Sequence, residues 1–151
     1  GINGRELECA VIGHHELEAS VIGEIVPGKD FYDYADKYID DGAHLIAPAE
    51  LSEDLASWLR ELAIRAFAAI DGWGMARVDF LVEGDEQVYI NEINTLPGFT
   101  DISMFPRLWN LSGLPLPELV SRLVEIAIER HTSRTRLDQG IKDWISDLHK
   151  D

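Results

Sequence analysis

The sequence predicts an α+β fold: a mainly antiparallel sheet flanked by helices. Three observations carry this. Residues 76–83 and 87–93 alternate with period two on either side of a turn-rich Gly84-Asp85-Glu86, the pattern of a β-hairpin. Two further alternating segments, Arg5–Ile12 and Ser20–Val26, lie near the start of the chain. Between the two pairs, Ser52 to Ile70 carries one apolar stripe at helical spacing. With 151 residues, 46% of them hydrophobic and 27% charged, the chain suits one globular unit with a real core.

In the first strand Leu7, Cys9 and Val11 alternate with Glu6, Glu8 and Ala10, so it reads as half-buried. The polar link Gly13-His14-His15-Glu16 joins it to the second strand. Adjacent histidines point apart and make a poor chelate, so a solvated turn is the expectation there. Pro27-Gly28-Lys29-Asp30 breaks the second strand. The stretch from Phe31 to Tyr38 holds four aromatics in eight residues without a clean period, which fits either a core plug or a lid over a ligand. A short strand is expected at His44–Pro48.

The helix from Ser52 has a capping serine, Glu53 and Asp54 at its positive end, and Leu55, Trp58, Leu59, Leu62, Ala63, Ala66, Phe67 and Ile70 on one stripe. Asp71-Gly72 ends it. After the central hairpin, a short segment around Ser103–Trp109 is interrupted by Pro106. A second helix is expected from about Pro117 to His131, with proline at its start. Residues 133–140 read as a polar linker and Ile141–His149 as a short amphipathic helix that docks on the body or meets a partner. The expected organisation is therefore a main unit at 1–132 and a linker with tail helix at 133–151.

The hairpin is where chemistry concentrates. Alternation puts Ala76, Val78, Phe80 and Val82 on one face and Arg77 and Asp79 on the other, while Glu92 and Asn94 share a face with Val88 and Ile90. Closure on Asp85-Glu86, or on a four-residue loop 84–87, sets Asp79 opposite Glu92 and Arg77 opposite Asn94. Opposed side chains sit about 4.5–5.5 Å apart at Cβ, where like charges are destabilising. Two carboxylates so close need a proton or a cation, and with an asparagine beside them the all-oxygen set points to Mg²⁺. Solvated carboxylates on an exposed sheet face are the bland alternative. The turn-forming Asn94–Thr100 stretch, able to present backbone amides beside that cluster, favours the cation.

Composition narrows the function classes. The net charge is −15, with 13 acidic and 3 basic residues in the first 54. Such a surface repels nucleic acid and anionic membranes, so neither is an expected partner. A polyanionic substrate would need a metal or individually placed cations, and Arg5, Lys29 and Lys37 are the only basic residues in that acidic third. No apolar run approaches a membrane span and no signal-peptide pattern appears. The single cysteine, Cys9, excludes an internal disulfide, fits a reducing compartment and reads as buried and inert. The chain opens on Gly1 rather than methionine, and the expectation is an excerpt of a longer polypeptide.

The motifs Gly4-Arg5-Glu6, Phe31-Tyr32-Asp33-Tyr34 with Lys37-Tyr38, Ala76-Arg77-Val78-Asp79, Asn91-Glu92-Ile93-Asn94 and Pro97-Gly98-Phe99-Thr100 with Ser103 together resemble the C-terminal part of the D-alanine–D-alanine ligases. These are ATP-grasp enzymes of peptidoglycan synthesis. The order of the motifs matches the family's across residues 1 to about 131. The resemblance implies an ATP-grasp C-terminal domain preceded by the end of the central ATP-binding domain. It implies an activity in which ATP phosphorylates one D-alanine and the amine of a second attacks the acyl phosphate. Asp79, Glu92 and Asn94 would then hold two Mg²⁺ ions, with Mn²⁺ as a substitute. Glu6 would bind the ribose, Phe31 border the adenine, and Lys37 reach the γ-phosphate, so the aromatic stretch becomes a lid.

Arg77 and the Gly98 amide would stabilise the oxyanion of the tetrahedral intermediate, and Ser103 with the Met104 backbone would bind the acceptor carboxylate. Tyr38 stands where the D-alanine–D-lactate ligases carry a histidine, which favours an amine acceptor. The resemblance also implies a cytoplasmic homodimer as the full-length enzyme. The N-terminal domain, the glycine-rich phosphate loop and the adenine-binding lysine of the family have no counterpart in this chain, and the segment after Ser133 matches no family feature. The alternatives are another ATP-grasp carboxylate–amine ligase, a D-alanine–D-lactate ligase, or a nucleotide-binding module without catalysis.

Overall fold

The computed structural model describes residues 1–27, 43–84, 87–100 and 102–148. Its centre is a five-stranded antiparallel sheet in the order β3-β2-β1-β4-β5. The strands are β1 (Arg5–Gly13), β2 (Leu17–Pro27), β3 (Ala43–Ile46), β4 (Gly74–Glu83) and β5 (Gln87–Asn94). β1 is central because it is flanked by two full-length partners, pairing Cys9 with Ile22 of β2 and with Val78 of β4. Gly13, at φ 112°, supplies the left-handed conformation that lets β1 turn back into β2.

Helix α1 (Glu53–Ala69) begins as its sequence predicts, with Ser52 Oγ accepting from the Leu55 amide at 3.3 Å. Its buried stripe of Leu55, Leu59, Ala63 and Phe67 packs on Leu7, Cys9, Val11, Val78 and Phe80 of the sheet. Full burial of side chains such as Phe67 and Phe80 contributes about 1.5–3 kcal/mol each. The opposite face of the sheet, at Ala10 and Ile12, is covered by α2 (Met104–Leu111) and α3 (Leu116–Leu148) through Phe105, Leu108, Leu119 and Ile126. Gly23 permits this approach. A Cβ there would lie 3.0 Å from the side chains of Leu108 and Met104.

Three expectations change. Pro106 does not interrupt α2. It occupies the third helical position, where its missing N–H would have had no intrahelical partner in any case. The 133–140 linker and separate tail helix are replaced by one continuous helix, since α3 runs unbroken to Leu148. Polarity there marks solvation rather than a break: Thr132 and Thr135 return their hydroxyls to the carbonyls of Ile128 and His131. Beyond Ile126 the apolar residues Ile128, Leu137, Ile141 and Trp144 are exposed, so the described tail does not dock on the body. The histidine pair is not simply a solvated turn either. His14 stacks on Trp73 with centroids 3.6 Å apart, and its Nδ1 lies 3.1 Å from the Gly72 carbonyl. Among the described residues no helix is long and apolar enough to cross a membrane.

Candidate active site

The central hairpin has the expected cross-strand pairs by an unexpected route. Asp79 faces Glu92 and Arg77 faces Asn94, but Glu83 pairs with Gln87, which alone would leave the register one residue out. A bulge between Asp79 and Phe80 corrects it, and such an extra residue on one strand re-aims the side chains beyond it. As a result Val88 and Ile93 both lean on the α1 cluster. Glu92 therefore points to the opposite face from Val88, and the shared face expected for Glu92, Val88 and Ile90 is corrected by the bulge.

On the face turned away from α1, β1 and β4 add their own charges. Glu8 is paired with Asp79 and Ala10 with Arg77, so Glu6, Glu8, Arg77, Asp79, Glu92 and Asn94 share one side of three neighbouring strands. Arg77 is the hub. Its Nε and Nη2 donate to Oδ1 and Oδ2 of Asp79, both at 2.7 Å, a bidentate geometry. Glu8 Oε1 is 3.1 Å from Nε and Glu92 Oε1 3.6 Å from Nη2. The side chains of Glu8 and Asp79 are 1% and 4% exposed, that of Glu92 54%. The first cation to answer the Asp79–Glu92 repulsion is thus a protein side chain two residues away.

One guanidinium does not balance three carboxylates. Burial pushes the Asp79 carboxyl up, against the hydrogen bonds and charge of Arg77, and the Glu92 charge adds to the rise. Burial lowers the Arg77 guanidinium, but the Asp79 hydrogen bonds and the charges of Glu8, Asp79 and Glu92 outweigh it and raise it overall. With all four ionised, these four described side chains carry a formal net −2, a sign that attracts cations. Among the described residues no three carboxylate, thiolate or imidazole side chains converge on one point. A cation here would draw on one or two of these carboxylates and take its remaining oxygens from outside the chain, as Mg²⁺ does when it binds substrate phosphates. Asn94 completes the oxygen set, its Oδ1 already accepting from the Leu96 amide at 3.1 Å in an Asx turn that shapes the following loop.

That loop leads to Gly98 and Ser103. A Cβ on Gly98 would stand 2.8 Å from Ser103 Oγ, so any larger residue here would push that hydroxyl aside. Ser103 is the N-cap of α2 but makes no side-chain cap bond. Its Oγ instead accepts from the Thr100 amide at 3.0 Å and meets Thr100 Oγ1 at 2.8 Å. The opening turn of α2 therefore keeps amides available for an anion. Met104 is buried in the α2 cluster, which leaves its backbone as the polar group at this end.

The residues expected at the site thus fall into two groups. Glu6, Arg77, Asp79, Glu92 and Asn94 lie on one sheet face, and Gly98, Ser103 and Met104 on the loop and helix that follow it. Phe31, Lys37 and Tyr38 lie outside the described residues. Glu8 was missed. Its alternation with Leu7 and Cys9 marked it as a polar-face residue, and the signal that it is buried was the neighbouring Ala10 and Ile12, which extend an apolar patch on that same face.

The profile of the family described as "D-ala D-ala ligase C-terminus" matches residues 1–125. The chain belongs to that family. It is 52% identical over 140 residues to a D-alanine–D-alanine ligase of Bacillus cytotoxicus, covering 93% of this chain and 39% of that protein. The family profile ends at residue 125, while the pairwise match to this relative extends further along α3. The structure superposes on the Coxiella burnetii D-alanine–D-alanine ligase with a TM-score of 0.82 at 42% identity, over 94% of this chain and 37% of the other. It also matches the Bacillus anthracis D-alanine–D-alanine ligase complexed with ATP, with a TM-score of 0.73 at 25% identity over 89% and 43% of the two chains. The chain spans about two fifths of the length of the curated relative it matches.

Proposed function

We propose that this chain forms the phosphate-facing wall of an ATP-dependent D-alanine–D-alanine ligase, acting in the cytoplasm on peptidoglycan precursors. The observation that carries the proposal is the −2 cluster of Glu8, Arg77, Asp79 and Glu92, set beside Asn94 and a loop that leads to an uncapped helix start. Membership of the family and the ATP-bound Bacillus anthracis relative support it.

Asp79, Glu92 and Asn94 would hold Mg²⁺, two ions in the family's arrangement. When bound, Mg²⁺ offsets the repulsion between a triphosphate and an anionic acceptor. The remaining steps belong to this chain's own side chains. Glu6, on the same face as Asp79, offers acceptor oxygens to the two ribose hydroxyls. Lys37 neutralises the γ-phosphate, and Phe31 covers the adenine. Transfer of the γ-phosphoryl group to the first D-alanine carboxylate gives an acyl phosphate and releases ADP. Ser103 and the Met104 amide hold the carboxylate of the second D-alanine, directing its amine at the acyl carbon. Arg77 and the Gly98 amide donate to the oxyanion that develops, and its collapse expels phosphate. Tyr38 orders the acceptor side and favours an amine nucleophile. The functional unit would be a homodimer of chains that include the upstream domains.

The deciding experiment uses the full-length enzyme that carries this chain. Phosphate release from MgATP should require D-alanine and yield D-alanyl-D-alanine. Faster release with L-alanine or another carboxylate would overturn the substrate while leaving the ATP chemistry in place.

A further inference from the structure

We propose that Glu8 is a positioning residue that takes the Arg77 guanidinium when a divalent cation takes Asp79. This rests on the reading of Asp79 as a cation ligand given above.

Arg77 and a divalent cation compete for Asp79. Arg77 donates to both of its carboxylate oxygens at 2.7 Å, and a guanidinium in that fork takes a lone pair of each oxygen and repels a cation approaching the others. Cation binding at Asp79 therefore favours withdrawal of Arg77. Its side chain is only 16% exposed, and a guanidinium buried to that degree cannot be left without an anionic partner. Glu92 is a poor successor, because it is a proposed ligand itself and stands 3.6 Å away. Glu8 is a good one. It belongs to the central strand β1, it is 1% exposed, and its Oε1 is already 3.1 Å from Arg77 Nε. The transfer needs a side-chain shift of Arg77 and no movement of the sheet. It also withdraws Arg77 from the metal's own ligand and leaves the guanidinium at the edge of the site, where an oxyanion donor is wanted.

The burial of Glu8 supports the same conclusion. A carboxylate fully enclosed in a sheet face costs several kcal/mol unless it is paired, and packing alone would favour an apolar side chain there, as at Ala10 and Ile12 on the same strand. The ion pair with Arg77 is one reason for a carboxylate at this position.

The test is a Mn²⁺ titration of the full-length enzyme in the presence of a non-hydrolysable ATP analogue, which supplies the phosphate oxygens, followed by the electron paramagnetic resonance signal of free Mn²⁺, in four proteins: wild type, E8Q, R77M and E8Q/R77M. In E8Q the weaker amide acceptor leaves Arg77 on Asp79, and Mn²⁺ should bind about tenfold more weakly, within the range for residues that orient metal ligands. In R77M there is no guanidinium to shed, so E8Q should add less than about a twofold change, a non-additivity diagnostic of coupled residues. Equal weakening by E8Q in both backgrounds would overturn the proposal, since it would reduce Glu8 to a bystander charge. So would unchanged Mn²⁺ affinity in E8Q, or no Mn²⁺ binding in the wild type. Should E8Q not fold, E8D keeps the charge but shortens the reach. It should then show the same background-dependent loss, and wild-type affinity in E8D would overturn the proposal. Failure of D-alanine-dependent phosphate release would instead strike the substrate assignment, because the Mn²⁺ titration involves no reaction.

Discussion

Replacing Glu92 with glutamine separates the chemistry of the site from its stability better than any other change in the cluster. Its side chain is 54% exposed and its contact with Arg77 is long, at 3.6 Å. Exposed ion pairs of that kind contribute about 0–1 kcal/mol. The change also lowers the like-charge load opposite Asp79, which offsets part of even that loss. The net effect on folding should be within about 0.5 kcal/mol, the usual range for surface substitutions. Asp79→Asn is a poorer probe, because it breaks a buried bidentate pair, a loss that runs to about 3–5 kcal/mol.

For function the expectation for Glu92→Gln is the reverse. Removing one anionic ligand cuts the cluster from −2 to −1 and weakens the stabilisation of transferring phosphoryl charge, a loss of about 10²–10³ in kcat, or roughly 2.7–4 kcal/mol of transition-state stabilisation. The assay pairs thermal unfolding with D-alanine-dependent phosphate release by the full-length enzyme across a Mg²⁺ series. Turnover within twofold of wild type at every Mg²⁺ concentration would refute the ligand role of Glu92. A large loss of stability would refute the reading of its contact with Arg77 as weak.

Gly98→Ala should act on the acceptor site. The new Cβ, 2.8 Å from Ser103 Oγ, displaces the hydroxyl from Thr100 and should raise KM for the second D-alanine about tenfold or more while changing KM for ATP little, as loss of one positioned contact does. Cys9, whose thiol burial pushes up to about 12, should resist iodoacetamide at pH 8 in the folded protein and react once the protein is unfolded. Arg5 donates to both oxygens of Glu24 at 2.8 and 2.7 Å and holds its carboxyl below the ordinary 4.5. A carboxyl with a lowered folded pKa contributes stability that is full above its unfolded value and is lost as pH falls through the folded one. Arg5→Gln should therefore cost about 1 kcal/mol at pH 7, discounted for the 36% exposure of Arg5. That difference should close as pH drops below 4.5 in acid-unfolding curves.

The strands and helix α1 were legible because their signals are local. Alternation from Arg5 and from Ala76, and the Ser52 cap with its apolar stripe, are properties of a few consecutive residues. Helix α3 was under-read because residues 133–140 are polar, and polarity reports solvation rather than backbone conformation. The family was legible because several short motifs kept their order along the chain, and order needs no coordinates.

What the sequence determined by itself is the inventory: an antiparallel α+β unit, an Asp–Glu–Asn oxygen set on a hairpin, an arginine beside it, and a turn leading into Ser103. What only the tertiary structure decided is which charge answers which. Glu8 entered the site because β1 pairs with β4 in a register that sets it against Asp79. Glu92 reached the same face through a bulge that no periodicity announces. Burial then turned Arg77 from a neighbour of Asp79 into its bidentate partner, since a carboxylate removed from water must find a cation nearby. Those outcomes depend on strand register and on burial, and neither quantity exists until the chain has folded.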